Sequence, residues 1–191
     1  MTEQLPPRIP TVDAASAELQ ETLSKTLSDP TGKPLNIFTT LAQHPRLLKR
    51  FNVFAGTFLA HGSLPARDRE IVVLRVAWRC SAAYEWGQHV LIGRDAGVTE
   101  TEIVRLAQNS LEGWADRDYT LLTFADEVLR DVDVSDSTWT NASARLENAE
   151  LVELLMLVGL YRMVAGFLNA ARVASEPYLP SWPDEGELPE T

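Results

Sequence analysis

The sequence predicts an all-α fold, a bundle of amphipathic helices, and three observations carry that prediction. Apolar residues recur at helical spacing through most of the 191 residues, as expected of helices that bury one face. Strand-like alternation of apolar and polar residues is absent, and no Asn-Gly or Asp-Gly pair marks a β-hairpin. Proline and glycine fall between the helical stretches, where they end one helix and allow the next to begin.

The first predicted helix covers residues 13–27. Leu19, Leu23 and Leu27 repeat there at four-residue spacing, which places them on one helical face. Prolines and a glycine crowd the segment that follows and end the helix. Residues 1–34 are therefore expected to form an N-terminal arm and helix ahead of the main domain.

The main helical domain is predicted over residues 35–176. It begins with helices at 35–43 and 46–60, which a proline separates. Ser63 is the expected N-cap of the next helix, 66–79, because a proline two residues later is tolerated in a first helical turn. That helix is rich in Ile, Val, Leu and Trp, so we expect it to be largely buried.

Two further helices are predicted at 82–95 and 103–108. Gly97 ends the first of them. Thr99 and Glu102 have the spacing of a capping box, in which each side chain binds the backbone of the other residue. This box is expected to begin the second helix.

The last three helices are predicted over 118–132, 135–146 and 148–173. Asn148 is the expected N-cap of the final one, which is dominated by Leu, Val and Met. Residues 177–191 carry four prolines, four acidic residues and no base. This acidic, proline-rich tail is predicted to be an extended strap or a disordered end.

A faint internal repeat is also present. Residues 69–74 resemble residues 149–154 at an offset of 80, and the same offset aligns 86–89 with 166–169. The pattern indicates two related helical hairpins, of which only the first carries ionisable residues at the inner positions.

Charge and composition exclude several functions. The chain has 17 Lys and Arg against 27 Asp and Glu, a net charge of -10, which disfavours contact with nucleic acid or anionic membranes. The hydrophobic share of 45% is typical of a soluble globular protein. No signal peptide is recognisable, and no apolar run reaches the roughly 18 residues of a membrane helix. We therefore expect a cytoplasmic protein without membrane contact.

Cys80 is the single cysteine, which excludes an intrachain disulfide and any zinc site that needs two or four cysteines. It is either an inert thiol or a nucleophile. Glu85 and His89 alone are too few to hold a metal ion, and His61 or Glu70 would have to complete the set. We therefore predict no metal and no cofactor.

The densest group of reactive side chains lies between Cys80 and His89. Glu85 and His89 stand four residues apart, so on a helix they share a face, and a carboxylate there can orient the imidazole. Near the helix N-terminus Glu85 is expected to be ionised. Glu70 would lie about 22 Å from Glu85 on one unbroken helix, and reaches it only if the chain folds back near Ser81, a plausible N-cap.

Other residues allow a structural or a functional interpretation. Trp78, Trp86 and Phe54 belong either to the core or to a substrate box. The helix 66–79 carries four arginines that could hold a substrate carboxylate, or instead neutralise the acidic body or pair across a subunit contact: Arg67, Arg69, Arg75 and Arg79.

Two motifs carry a resemblance to a known family. LPARDREIVVLRVA at 64–77 and YEWGQH at 84–89 resemble the carboxymuconolactone decarboxylase family, which shares its fold with alkylhydroperoxidase D-like proteins. ELVELLM at 150–156 and FLN at 167–169 are similar to the closing helix of that family. The resemblance spans about 35–173 and implies an all-α bundle, a homotrimer or homohexamer, and a pocket for a small-molecule substrate near subunit contacts.

The peroxidase branch of that family carries a Glu, a Cys-x-x-Cys pair and a His four residues after the second Cys. Here Glu70 and His89 match the Glu and the His, whereas Ala82 and Glu85 occupy the two cysteine positions. Tyr84 stands where that branch has a further histidine. A peroxidase that works through an internal disulfide needs two sulfurs, so this activity is disfavoured.

The decarboxylase branch implies cofactor-free acid–base chemistry, a decarboxylation or isomerisation of a small unsaturated carboxylate or lactone. In this hypothesis His89 is the general acid or base, Glu85 orients it and Glu70 tunes the pocket, while Tyr84 and Trp86 contact the substrate. Two alternatives stay open. One is a peroxide-linked oxidoreductase in which Cys80 is exposed with a lowered pKa. The other is a non-catalytic oligomeric protein that binds a small molecule in the family pocket.

Overall fold

The computed structural model describes residues 5–12, 16–184 and 186, and within these ranges the fold is all-helical, as the sequence predicts. The described residues form nine helices: α1 Ala17–Leu23, α2 Asn36–Leu41, α3 Pro45–His61, α4 Ala66–Arg79, α5 Ala83–Asp95, α6 Glu100–Leu106, α7 Asp116–Asp131, α8 Asp136–Ser143 and α9 Asn148–Ala171. Outside them, the described ranges contain only an isolated β-bridge between Ser28 and Pro34.

Helix α4 lies at the centre of the bundle. It packs against α5, α7 and α9, and every residue from 68 to 78 is buried, as the apolar composition of this segment predicts. A helix buried on all sides needs partners for its polar side chains. Arg75 pairs through two hydrogen bonds with Asp126 of α7, and Arg67 does the same with Asp118. Of the roles considered for the α4 arginines, the contacts of Arg67 and Arg75 support neutralisation of the acidic body.

Several helix ends differ from the prediction. Pro65, not Ser63, is the N-cap of α4, and the backbone N–H groups of Ser63 and Leu64, ahead of the helix, donate to the carboxylate of Glu153. Glu147, not Asn148, is the N-cap of α9, since its side chain forms a capping box.

Another helix end agrees with the prediction, and one helix is shorter than predicted. The capping box predicted for Thr99 and Glu102 is confirmed. Helix α1 is shorter than predicted: it starts after the side-chain cap of Ser16 and ends at Leu23. The predicted start at Asp13 lies outside the described residues.

Helix α9 is one unbroken helix of 24 residues. The second hairpin suggested by the internal repeat would fall in this segment, so the repeat is not confirmed. Among the described residues, α9 is also the one helix long and apolar enough to cross a membrane by length and composition alone. Half of its most apolar window is buried inside the protein.

Both ends of the described chain run along the bundle. The N-terminal arm is held where the Arg8 N–H donates to Ala171 O at 2.9 Å and the Val12 N–H to Thr39 O at 2.9 Å. The described part of the acidic tail is a strap across α5. A Cβ on Gly87 would lie 2.9 Å from both Leu179 Cβ and Pro180 O, so only glycine allows the tail to approach this closely.

Candidate active site

The chain folds back between α4 and α5, which is the condition for Glu70 to approach His89. Ser81 makes the turn with a left-handed backbone (φ 51°), and the Asn169 side-chain N–H of α9 donates to Cys80 O at 2.9 Å. The chain thus folds back where the sequence allows it, but Ser81 is not the N-cap. Ala82 takes that position without a side-chain hydrogen bond.

Glu70 and His89 form a buried pair between the two helices. Glu70 Oε2 lies 2.7 Å from His89 Nδ1, and Glu70 Oε1 accepts a hydrogen bond of 2.8 Å from Arg69 Nε. Burial opposes the ionisation of Glu70, but the charge and hydrogen bonds of His89 and Arg69 outweigh it and lower the pKa of this carboxyl. An ionised Glu70 holds the proton of the neutral ring on Nδ1, so Nε2 is the ring nitrogen open to a ligand.

The sequence predicts that Glu85 orients His89. In the structure Glu70 makes that contact instead. Glu85 is 2% exposed, and neither carboxyl oxygen has a hydrogen-bond partner among the described residues. Burial raises the pKa of Glu85 well above its ordinary value. Desolvation thus outweighs the field of the helix N-terminus, against the expectation of an ionised carboxylate. The protonated form that burial favours is a carboxylic acid with an O–H to donate.

These groups line a cavity of about 330 Å³ enclosed by α2, α3, α5 and α9. The face of α5 turned toward it carries Tyr84, Glu85, Gln88, His89 and Ile92, at the spacing of one helical face. The arrangement places a neutral acid and a histidine that is held by a carboxylate beside one small, mainly apolar space.

Tyr84, which the sequence predicts to contact the substrate, lines the cavity, but its hydroxyl binds protein groups. It accepts a hydrogen bond of 3.2 Å from the Ile37 N–H and donates one of 3.1 Å to Glu176. Burial, together with the nearby Glu176 carboxylate, raises the pKa of Tyr84, so the ring stays neutral. Glu176 also binds Gln88 and the Asn36 N–H, which anchors the start of the tail beneath the cavity.

Trp86, which the sequence predicts to contact the substrate, does not line the cavity. It is fully buried on the opposite side of α5, because one residue of helix turns its side chain about 100° away from that of Glu85. Its indole N–H donates to Ser181 O at 3.2 Å and its ring lies 4.9 Å from that of Trp182. Trp86 therefore holds the tail, and belongs to the core, as does Trp78.

Tyr161 of α9 is the site residue that the sequence does not reveal. Its ring meets that of His89 edge to face, with 4.9 Å between centroids, and it lines the cavity. Burial first, and then the carboxyls of Glu70 and Glu85, raise its pKa well above the ordinary value. A lone tyrosine in an apolar helix carries no sequence signal, since it contacts the site only through the packing of α9.

Cys80 does not meet the requirements of the redox alternative. It is half-buried at the end of α4 and does not line the cavity. Burial and the neighbouring Glu85 raise the pKa of its thiol, whereas a reactive thiol needs a lowered one. The described residues also contain no group of three or more His, Cys, Asp or Glu placed to hold a metal ion.

The raised pKa of Glu85 has a measurable effect on stability. Unfolded Glu85 ionises near pH 4.5 whereas folded Glu85 keeps its proton, so the stabilisation is full below pH 4.5 and is lost as pH rises toward the folded pKa. Over that window we expect the free energy of unfolding of the wild type to fall, relative to Glu85→Gln, by roughly 1.4 kcal/mol per pH unit. Urea unfolding at several pH values measures it.

The matched control for that experiment is Glu112→Gln, which removes one exposed carboxylate. The cost of burying the amide that Glu85→Gln introduces does not depend on pH. It therefore shifts the whole curve of unfolding free energy against pH without changing its slope. Parallel curves for wild type and Glu85→Gln across this range would show that Glu85 is ionised in the folded protein.

One family model matches part of the chain. Residues 45–115, which include α4, the turn and α5, match the model of the carboxymuconolactone decarboxylase family. The match confirms the resemblance for the motifs at 64–77 and 84–89, whereas those at 150–156 and 167–169 lie outside the matched residues. A comparison with curated proteins gives no significant match.

Solved structures extend the likeness to the whole fold. An uncharacterised peroxidase-related protein from Silicibacter sp. TM1040 superposes with a TM-score of 0.78 at 15% identity, covering 93% of this chain and 95% of its own. An alkylhydroperoxidase AhpD core protein from Ralstonia eutropha JMP134 gives 0.75 at 18% identity, with coverages of 90% and 93%. A putative antioxidant defence protein AhpD from Agrobacterium tumefaciens gives 0.65 at 16%, with 71% and 94%. At these identities the likeness establishes the AhpD-like fold.

Proposed function

We propose that this protein is a cofactor-free acid–base enzyme that decarboxylates or isomerises a small unsaturated carboxylate or lactone. One observation carries the proposal: Glu85, buried and without a partner among the described residues, lines the same cavity as His89, whose Nδ1 is held by Glu70. A buried polar group without a partner is costly unless a ligand completes it. Glu85 is therefore proposed to donate its hydrogen bond to a substrate.

In the proposed mechanism His89 Nε2 exchanges a proton with a substrate carbon. Negative charge then develops on the conjugated carbonyl oxygen, and the Glu85 O–H donates a hydrogen bond to it. A carboxylic acid kept neutral by an apolar site can stabilise an oxyanion in this way. Glu70 fixes the ring orientation and stabilises the imidazolium when His89 holds the extra proton.

The same groups serve both reactions of the proposal. In an isomerisation, His89 removes a proton from one carbon and returns it to another. In a decarboxylation, the substrate C–C bond breaks as CO₂ leaves, its electron pair passes into the conjugated carbonyl, and protonated His89 supplies the proton to carbon. Neither reaction needs an oxidant or a metal.

The peroxidase descriptions of the structural neighbours belong to those proteins. For this chain, thiol chemistry would fall to Cys80, which lies outside the cavity and has a raised pKa. Assembly into a homo-oligomer stays a prediction, and it is supported by the exposed Val152, Met156 and Met163 along α9, which a subunit contact would cover.

The test is a panel of unsaturated lactones and carboxylates assayed for deuterium uptake from D₂O by NMR, and for release of CO₂. The proposal predicts that at least one compound reacts in the wild type and not in His89→Ala. Reaction in both proteins alike, or a panel that binds without reacting, would contradict catalysis and favour a binding protein.

A further inference from the structure

The chain between α1 and α3 forms one wall of the cavity. This α2 segment, residues 25–41, supplies six of the lining residues: Lys25, Thr26, Leu27, Leu35, Ile37 and Phe38. Helix α2 itself has only six residues, and a helix this short does not keep its shape without contacts to the rest of the protein. The contacts at the two ends of α2 therefore determine how firmly this wall is held.

The C-terminal end of α2 is fixed to nearby parts of the chain. The Val12 N–H of the N-terminal arm donates to Thr39 O at 2.9 Å, and the Gln43 side chain donates to Pro10 O at 3.0 Å. Helix α3 follows α2 and packs against it. This end of α2 is thus tied to the bundle and suits a hinge.

The N-terminal end of α2 depends on the C-terminal strap, residues 174–184. Its N-cap, Leu35, has no side-chain oxygen to accept from the first turn. The Asn36 N–H instead donates to Glu176 Oε1 at 2.7 Å, across 140 positions of sequence. The next N–H, that of Ile37, donates to the hydroxyl of Tyr84, which itself binds Glu176. Glu176 therefore replaces the missing local cap, and its carboxylate lies at the favourable end of the helix dipole.

Glu176 joins α2 to α5. Its other oxygen, Oε2, accepts a hydrogen bond of 2.9 Å from the Gln88 side chain of α5, so one carboxylate contacts both helices. The side chain is 8% exposed, and its donors are uncharged: the Asn36 N–H, the Tyr84 O–H and the Gln88 amide. Uncharged donors can part from a carboxylate without leaving a buried cation unpaired, so these contacts can break and re-form.

The strap beyond Glu176 is held on the side of α5 away from the cavity. The Trp86 indole N–H donates to Ser181 O, and the Trp86 ring packs on that of Trp182. Three prolines between 177 and 183 restrict the backbone of the strap, so less freedom is lost when it is ordered. These contacts keep Glu176 beside the start of α2.

We propose that the α2 segment is a lid over the cavity and that Glu176 of the C-terminal strap is its latch. Release of Glu176 uncaps the start of α2, and the segment then swings about its fixed end beside α3, which opens the cavity to solvent and to a ligand. The strap thereby controls entry. This role goes beyond the proposed function, because it holds whatever reaction follows in the cavity.

Thiol labelling of the full chain tests the latch. Val164 lines the cavity and is 8% exposed, so Val164→Cys in a Cys80→Ser background places the single thiol behind the lid. Its rate of reaction with ethyl methanethiosulfonate, a small uncharged reagent, measures how often the cavity opens. We expect Glu176→Ala to raise this rate by about tenfold or more, because it removes hydrogen bonds to a charged acceptor. Glu176→Gln keeps one acceptor oxygen, so we expect a smaller rise, about threefold.

Two controls separate opening of the lid from a general loss of structure. Val158→Cys, in the same background, places the thiol on the same helix at a fully buried position outside the cavity lining. Its labelling rate should stay within about twofold in both Glu176 variants, because it reports wider unfolding. Asp184→Asn removes an exposed acid from the same strap and should change neither rate.

Every outcome bears on the latch. Faster labelling of Val164→Cys alone, in Glu176→Ala or in Glu176→Gln should the alanine variant not fold, would support it. Equal increases at Val164→Cys and Val158→Cys would mean that Glu176 stabilises the whole fold, and would overturn it. So would an unchanged rate at Val164→Cys, since α2 would then keep its place without Glu176. None of these results depends on turnover, so the latch and the proposed function stand or fall separately.

Discussion

His89→Ala is expected to lower turnover by about 10²–10⁴-fold, because the ring carries the proton between two positions of the substrate. The loss should appear in kcat more than in KM, since the imidazole acts in the transition state and the apolar walls supply most of the binding. The rate of deuterium uptake into a lactone substrate measures it, with circular dichroism to show that the variant is folded.

Two further variants separate acid–base from thiol chemistry. Glu70→Gln removes the charge that stabilises protonated His89, whose Nδ1 lies 2.7 Å from Glu70 Oε2. The kcat of this variant should therefore also fall below that of the wild type. Cys80→Ser should keep activity within about twofold, because the thiol lies outside the cavity. Loss of activity in Cys80→Ser with full activity in His89→Ala would reverse the assignment.

Asp126→Leu is expected to destabilise the fold by about 3–5 kcal/mol, because it leaves a charged Arg75 buried without its partner. Arg75 is fully buried, and its Nε and Nη2 donate to the two oxygens of Asp126 at 2.9 and 2.6 Å. Its remaining contacts, the carbonyls of Leu106 and Gln108 and the ring of Trp78, carry no full charge to replace the carboxylate. Urea unfolding measures the loss.

The double variant Arg75→Met/Asp126→Leu is the control for that prediction. Removal of both charges leaves no fully buried ion unpaired, because Arg79, the second partner of Asp126, is partly exposed, so we expect the double variant to recover most of the stability that Asp126→Leu loses. A single variant as stable as the wild type would mean that the pair adds little to the contact between α4 and α7.

The helices were predictable because their signals are local. The apolar repeat of α4 and the capping box at Thr99 act within a few residues, and both are as predicted. The N-caps predicted at Ser63 and Ser81 are wrong, because tertiary contacts determine where these two helices begin. Glu153 takes the backbone donors at Ser63, and the turn at Ser81 is left-handed.

The members of the site were predictable in part, and their roles were not. Helical spacing places Glu85 and His89 on one face. It cannot show that the packing of α4 puts Glu70, and not Glu85, in contact with His89. Protonation of Glu85 depends on burial without a partner, which only the packing of four helices determines. Tyr161 comes from a helix 72 positions further along the chain than His89, and nothing in its local sequence marks it.

The central claim is that Glu85 is a carboxylic acid at neutral pH beside a histidine held by Glu70. The most direct measurement is ¹³C NMR of glutamate-labelled protein, with Glu85→Gln to assign the carboxyl resonance and a titration from pH 4 to pH 9. We predict that the Glu85 resonance has the shift of a protonated carboxyl at pH 7. A resonance that titrates near pH 4.5 would show an ionised Glu85 and contradict the proposed oxyanion donor.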